Sequence, residues 1–139
     1  MATAKIREAV ELIQASPDGF TSQIPLPDDS TIEYVEAESG LQLAPDYRYL
    51  VQNAGNIVLR KELLYLRTNR EGRSNLLSAI FAARQSGVPS DWLPICRDNA
   101  DYYCLLPDGT VRLWSHDNMF EGRWTDLSDW VVDSFIHGN

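Results

Sequence analysis

The apolar positions follow a helical period first, then an alternating one, then a helical one again. Ile6, Val10 and Ile13, with Ala9 beside them, predict an amphipathic helix over Lys5 to Gln14, which Ser16-Pro17-Asp18-Gly19 stops. Phe20 to Asp29, holding Pro25 and Pro27, reads as a loop or extended connector. Ser30-Thr31-Ile32-Glu33 has the form of a capping box, opening a helix with Ile32 and Val35 inward and Gly40 at its close. Pro45 suits the first position of a third helix, with Asp46 near the positive end of its dipole. Tyr47, Leu50, Val51 and Ala54 follow at i, i+3, i+4 and i+7, and Gly55 ends the element. Ile57 to Leu59 reads as a short strand, Leu63 to Leu66 as strand or helical turn, and Thr68 to Arg73 as a basic loop. Ser74 is placed to cap a helix that buries Leu77, Ile80 and Phe81 and ends at Gly87-Val88-Pro89.

The alternating part is the centre of the chain's organisation. Tyr102 to Leu106 and Thr110 to Trp114 flank Pro107-Asp108-Gly109, which predicts a β-hairpin. Leu93 to Cys96 lies upstream, joined by the polar loop Arg97 to Asp101, so three strands can share one sheet with an apolar face. Alternation puts Tyr103 and Leu105 on one face and Tyr102, Cys104 and Leu106 on the other, leaving one tyrosine for an exposed face or cleft. Met119 to Trp124 reads as a loop. Thr125 or Asp126 then caps a terminal helix with Leu127, Trp130, Val131 and Phe135 inward, and His137-Gly138-Asn139 is expected to fray. Of Trp92, Trp114 and Trp130, at least two are expected in the core. Strands clustered in sequence and flanked by helices predict an α+β fold with a mainly antiparallel sheet of about four to six strands. The 139 residues are expected to form a single domain, residues 1–29 supplying an N-terminal helix and connector.

Charge narrows the function classes. The net charge of −8 argues against direct nucleic-acid binding, which needs cations to neutralise phosphates. It suits a soluble protein, or one with a basic partner. Residues 28–46 hold six acids and no base; residues 60–84 hold six bases and two acids; from Asp91 onward nine acids face three arginines. The surface is therefore expected to be acidic at both ends of the chain and basic in the middle. Met1 to Gln14 is amphipathic rather than continuously apolar, and no segment approaches the roughly 20 apolar residues of a membrane span. A cytoplasmic location follows as the expectation, with Cys96 and Cys104 as buried free thiols.

Three stretches together resemble the SUKH superfamily, which includes bacterial toxin-immunity proteins and fungal cell-wall-synthesis regulators of the Smi/Knr type. One is the acidic helix Ile32 to Glu38 followed by Gly40-Leu41. The second, Leu43-Ala44-Pro45-Asp46-Tyr47-Arg48-Tyr49-Leu50 running to Asn53-Ala54-Gly55, is similar to the family's Leu-Pro-x-Asp-Tyr-x-x-Phe-Leu run and the Asn-Gly after it. The third is Leu93-Pro94-Ile95, then Asp98, Asp101-Tyr102-Tyr103-Cys104-Leu105, Gly109-Thr110-Val111 and Trp114-Ser115-His116-Asp117. It resembles the family's strand, polar loop, strand and His-Asp exit. Coverage runs from about residue 30 to the end. Ala44 before Pro45, Ala54 inside Asn-Gly, and Ala100 where glycine is common depart from the pattern without disturbing its hydrophobic positions.

Three chemistries compete. A Cys/His hydrolase would use Cys104 or Cys96 as nucleophile, His116 as base and Asp117 or Asp101 to orient it. Both cysteines, however, lie in runs where a small apolar residue packs well. Asp98, Asn99 and Asp101 are oxygen ligands in one loop, but the twelfth position from Asp98 is Gly109, not the glutamate of a calcium loop, so turn formation explains them better. No Cys/His spacing suits zinc and no glycine-rich phosphate loop occurs, so no cofactor is expected. The third reading is protein recognition by Asp98, Asp101, Tyr102, Trp114, His116, Asp117 and Glu121, with acids ringing aromatic anchors. It is the one adopted: a binding protein with no covalent chemistry and a partner with a basic surface. The resemblance implies that the partner is a cognate toxin, often a nuclease, or that the module is a regulator or scaffold on the same fold.

Overall fold

The computed structural model describes residues 1–117 and 122–139. Helix α1 (Ala4–Gln14) buries Ile6, Ala9, Val10 and Ile13, the face its spacing predicts. Thr3 caps it, accepting from the Ile6 N–H at 3.3 Å. The same threonine donates through its N–H and hydroxyl to the Asp46 carboxylate, both at 2.8 Å. That ties the start of α1 to the start of α3 (Pro45–Ala54), the helix it packs against. The connector is not wholly loop: β1 (Phe20–Thr21) pairs antiparallel with β2 (Ile57–Val58) in a two-stranded ribbon.

Helix α2 (Asp29–Ser39) starts one residue before the predicted box. Its cap is Asp28, whose Oδ1 accepts from the Thr31 N–H at 2.8 Å, the Thr31 hydroxyl at 2.8 Å and the Ser30 hydroxyl at 2.9 Å. The carboxylate is the stronger acceptor, so Ser30 becomes a donor to the cap rather than the cap itself. Gly40 closes α2 at φ 74°, as the sequence predicts. Leu63 to Leu66 settles as neither strand nor helix. It makes isolated bridges, Leu63 with Cys96 and Tyr65 with Asn75, and buries Leu63, Leu64 and Leu66.

Helix α4 (Leu76–Ser86) is capped by Asn75 rather than Ser74. Asn75 is fully buried, accepts from the Ser78 N–H at 3.1 Å, and donates from Nδ2 to Asn69 O and Oδ1 at 3.0 and 3.1 Å. One amide therefore caps the helix and donates twice to Asn69, whereas a hydroxyl has a single proton to give.

The main sheet runs β3 (Leu93–Asp98), β4 (Asp101–Leu105), β5 (Val111–Trp114), β6 (Arg123–Trp124), each antiparallel to the next. The fold is α+β, a four-stranded antiparallel sheet and a two-stranded ribbon with flanking helices. β3 extends to Asp98, two residues past the prediction, which shrinks the polar loop to Asn99-Ala100. Asn99 takes the left-handed conformation, φ 57°, so Ala100 is not asked for a glycine torsion. Within the predicted loop 119–124, Arg123 and Trp124 are strand; Met119 to Glu121 lie outside the described residues.

The sheet is covered on both faces. Tyr103 packs against Trp130, ring centroids 5.4 Å apart, and Trp124, 5.7 Å. Strand alternation turns Tyr102 and its cross-strand partner Trp114 the other way, toward α4, where a Cβ placed on Gly87 would stand 3.8 Å from Trp114 Cζ2. Both tyrosines are consequently buried, at 4% exposure each, and neither lies in the open as expected. Trp130 is fully buried; Trp92, Trp114 and Trp124 are half-buried at the margin of the core, fewer indoles inside than expected.

The terminal helix begins with α5 (Leu127–Trp130), capped by Asp126, and widens into a π-helical turn, Val131–Ile136. All four predicted inward residues, Leu127, Trp130, Val131 and Phe135, are buried. The widened turn stacks Trp130 on Phe135, five residues on, at 5.8 Å. Its last carbonyls are satisfied by two cations: Lys61 Nζ donates to Ser134 O at 3.1 Å and Arg60 Nη1 to His137 O at 2.9 Å. The last residues, expected to fray, make hydrogen bonds back onto the helix. Gly138 N–H donates to Ser134 O at 3.0 Å, and Asn139 bonds Asp133 through backbone and side chain. Among the described residues no helix is long and apolar enough to cross a membrane.

Candidate protein-binding site

The tight β3–β4 turn and the antiparallel return of β5 gather the predicted residues at one end of the sheet. Asp98 and Asp101 are cross-strand partners, as are Tyr102 and Trp114. The exit from β5 therefore runs past Asp101. His116 Nδ1 lies 3.0 Å from Asp101 Oδ1, and the His116 N–H donates to the same oxygen at 3.4 Å. Asp117 Oδ1 accepts from the Ser115 hydroxyl at 2.6 Å, pinning the next residue of the loop. The structure thus brings together Asp98, Asp101, Tyr102, Trp114, His116 and Asp117; Glu121 lies outside the described residues.

They are not equally accessible. Asp98, His116 and Asp117 are exposed, Asp101 and Trp114 half-buried, and Tyr102 buried. The Tyr102 and Trp114 rings lie 6.3 Å apart at 45°. Arg97, absent from the predicted set, covers Tyr102 with its guanidinium 5.5 Å from the ring centre and donates to Arg73 O at 3.2 Å. Its signal was its register: Arg97 is the β3 partner of Tyr102, and the strand had been ended one residue before it. The surface that results is an acidic corner, Asp98, Asp101 and Asp117 with His116, one rung from the Tyr102–Trp114 pair, which strand alternation turns to the other face.

The alternatives fare less well. Cys96 and Cys104 are both buried free thiols, each pushed up to about 12 by desolvation. Cys96 Sγ donates to Glu62 O at 3.3 Å, and His116 engages Asp101 rather than either sulfur. A thiol held protonated and unpaired with a base is a poor nucleophile. Asp98, Asn99 and Asp101 form the hairpin corner, and among the described residues no group of three His, Cys, Asp or Glu side chains is placed to hold a metal ion.

Comparison with known proteins supplies the family. Among curated proteins none matches this sequence. A crystal structure of a protein from Pseudomonas syringae pv. tomato superposes with a TM-score of 0.81 at 25% identity, covering 94% of this chain and 98% of that one. The SUKH family model described as SMI1-KNR4 cell-wall matches residues 6–136, so it takes in α1 and the ribbon as well as the stretches that carried the resemblance. The chain belongs to the SUKH (SMI1-KNR4) family.

Proposed function

We propose that this protein is an intracellular immunity protein that neutralises a cognate toxin by occluding it, using the β3–β4 corner and the loop leaving β5. Family membership supports an immunity or regulatory module in general terms. The observation that carries the finer reading is the convergence of Asp98, Asp101, His116 and Asp117 at one corner of the sheet. An acidic corner suits a cationic groove that otherwise receives nucleic acid, and complementary charge speeds encounter. Occlusion requires no bond to be made or broken in either partner.

The test is to mix the purified protein with the product of an adjacent toxin-like gene. A complex on gel filtration and loss of toxin activity are expected, with Asp98→Lys plus Asp117→Lys slowing association and reducing its salt dependence. No complex and no protection would sink the reading. A regulatory role on the same fold is the second reading, favoured by the cell-wall description of the matching family model. An isolated gene with no toxin neighbour would turn the balance toward it.

A further inference from the structure

We propose that Arg112 and Arg123, which face each other across β5 and β6, form a binding site for a phosphate monoester. Strand alternation puts them on the sheet face opposite Asp98 and Asp101, so the inference does not rest on the toxin reading.

The two arginines are cross-strand partners. On the neighbouring rung the Leu113 N–H donates to Gly122 O at 2.9 Å. Hydrogen-bonded and non-bonded rungs alternate in an antiparallel pair, so Arg112 and Arg123 occupy a non-bonded rung. There the α-carbons stand about 4.5 Å apart and the side chains come closest. Like charges placed directly opposite each other weaken a sheet. No internal partner offsets this. Among the described residues neither guanidinium makes an ion pair or a hydrogen bond. Arg112 Nε is buried with no acceptor, a donor left unpaired at a cost. A pair of cations held together without internal compensation is explained by an anion that binds between them.

The surrounding face has the same sign. Arg97, Tyr102 and Trp114 form one row across the strands, and Cys104, Arg112 and Arg123 the next row on that face. Arg97 is committed to the Tyr102 ring and to Arg73 O. Arg112 is half-buried and Arg123 exposed. The acid that feels both is Asp108 in the β4–β5 turn. Its carboxyl is held low first by the Thr110 hydroxyl, then by the Thr110 N–H, and less by the Arg112 and Arg123 charges. Its Oδ1 takes both Thr110 bonds, and it pairs with neither arginine. One carboxylate against two guanidiniums leaves positive charge in excess.

The ligand class follows from that charge and from the two forks. A phosphate monoester carries a charge of about −1.5 to −2 at pH 7 and three strong acceptor oxygens. Set tetrahedrally, these present a different oxygen edge to each guanidinium, whereas the two coplanar oxygens of a carboxylate fill a single fork.

The test is a titration of inorganic phosphate into the full-length ¹⁵N-labelled protein at neutral pH and constant ionic strength. Shifts are expected at the Arg112 and Arg123 amides and at the Arg123 Nε–H, with none from acetate. Arg123→Gln removes one fork from an exposed position on a two-residue edge strand, so the fold is kept, and is expected to weaken binding about tenfold. Ribose 5-phosphate and acetylated, amidated phosphoserine identify the carrier. Tighter binding of the first assigns the site to a small sugar phosphate, and tighter binding of the second to a phosphorylated protein segment; either upholds the proposal. Absence of shifts, equal shifts from acetate, or unchanged affinity in Arg123→Gln overturns it. Affinity for both carriers no greater than for inorganic phosphate means an adventitious ion only, and overturns it as well.

Discussion

Asn75 is where one substitution tests most of the local argument. Its amide caps α4 through the Ser78 N–H and holds Asn69 through two further bonds, from a position with no exposure to solvent. In Asn75→Ala the cap bond is lost, at about 1 kcal/mol. The two Asn69 oxygens lose their donor; Asn69 is half-buried and partly rehydrates, so about 1 kcal/mol is assigned to them. The small void left in a buried site adds up to about 1 kcal/mol. The total is about 2–3 kcal/mol, read as a lower urea midpoint at unchanged slope, or a drop of about 6–12 °C in Tm for a chain of this size. Ser74→Ala, at the residue that the sequence favours as the cap, is expected to change stability by less than about 0.5 kcal/mol. Asn75→Asp separates the two roles. It keeps the acceptor for Ser78 but sets a carboxylate against the Asn69 oxygens. The folded pKa of that carboxyl is therefore raised above its unfolded value of about 3.9. The ionised form is penalised only in the folded state, so the variant is weakest at neutral pH and recovers as pH falls through the folded value. The reasoning is refuted if Asn75→Ala unfolds within about 0.5 kcal/mol of the parent, or if Ser74→Ala costs as much as Asn75→Ala.

Two further outcomes follow from the titratable groups. Burial lifts both thiols, so Cys96 and Cys104 should react slowly with a thiol reagent at pH 8 in the native protein and at once in denaturant; fast native labelling of either contradicts their placement. Asp28 is held below its ordinary range by the Thr31 N–H and then the Thr31 and Ser30 hydroxyls, and Asp108 by the Thr110 hydroxyl and then its N–H. Their folded values are depressed, so their contribution is present above an unfolded pKa of about 3.9 and lost as pH falls through the folded values. The urea midpoint should decline below about pH 4, less so in Asp28→Asn; a midpoint flat from pH 5 to 2.5 would show that neither carboxylate matters.

The candidate site was legible in part. Alternation and the Pro107-Asp108-Gly109 turn were enough to set β4 against β5, and so Tyr102 against Trp114. What alternation cannot tell is whether the second face of a sheet is also covered. One of the two tyrosines is therefore expected on an open face, although Arg97 and Trp114 cover Tyr102 and Trp124 and Trp130 cover Tyr103. Arg97 was missed because its role depends on one more ladder pair in β3, and strand ends are where local preference is weakest. The His116–Asp101 contact joins residues fifteen apart, and no short motif encodes it.

The sequence by itself determined the buried face of α1, of α3 and of the terminal helix. Period alone picked out Ile6, Val10 and Ile13, Tyr47 to Ala54, and Leu127 to Phe135, because apolar spacing is a property of the chain and burial of those faces dominates the energy. It determined the main turns too, since glycine at Gly40 and Gly109 meets a torsional demand that is local. Only the tertiary structure decided among competing polar groups. Asp28 over Ser30, Asn75 over Ser74 and His116 on Asp101 are choices between neighbours of similar local merit. They are settled by which acceptor or donor the packed chain brings within about 3.1 Å; Asp28 and His116 are exposed, and only at buried Asn75 does an unpaired group carry the full desolvation cost.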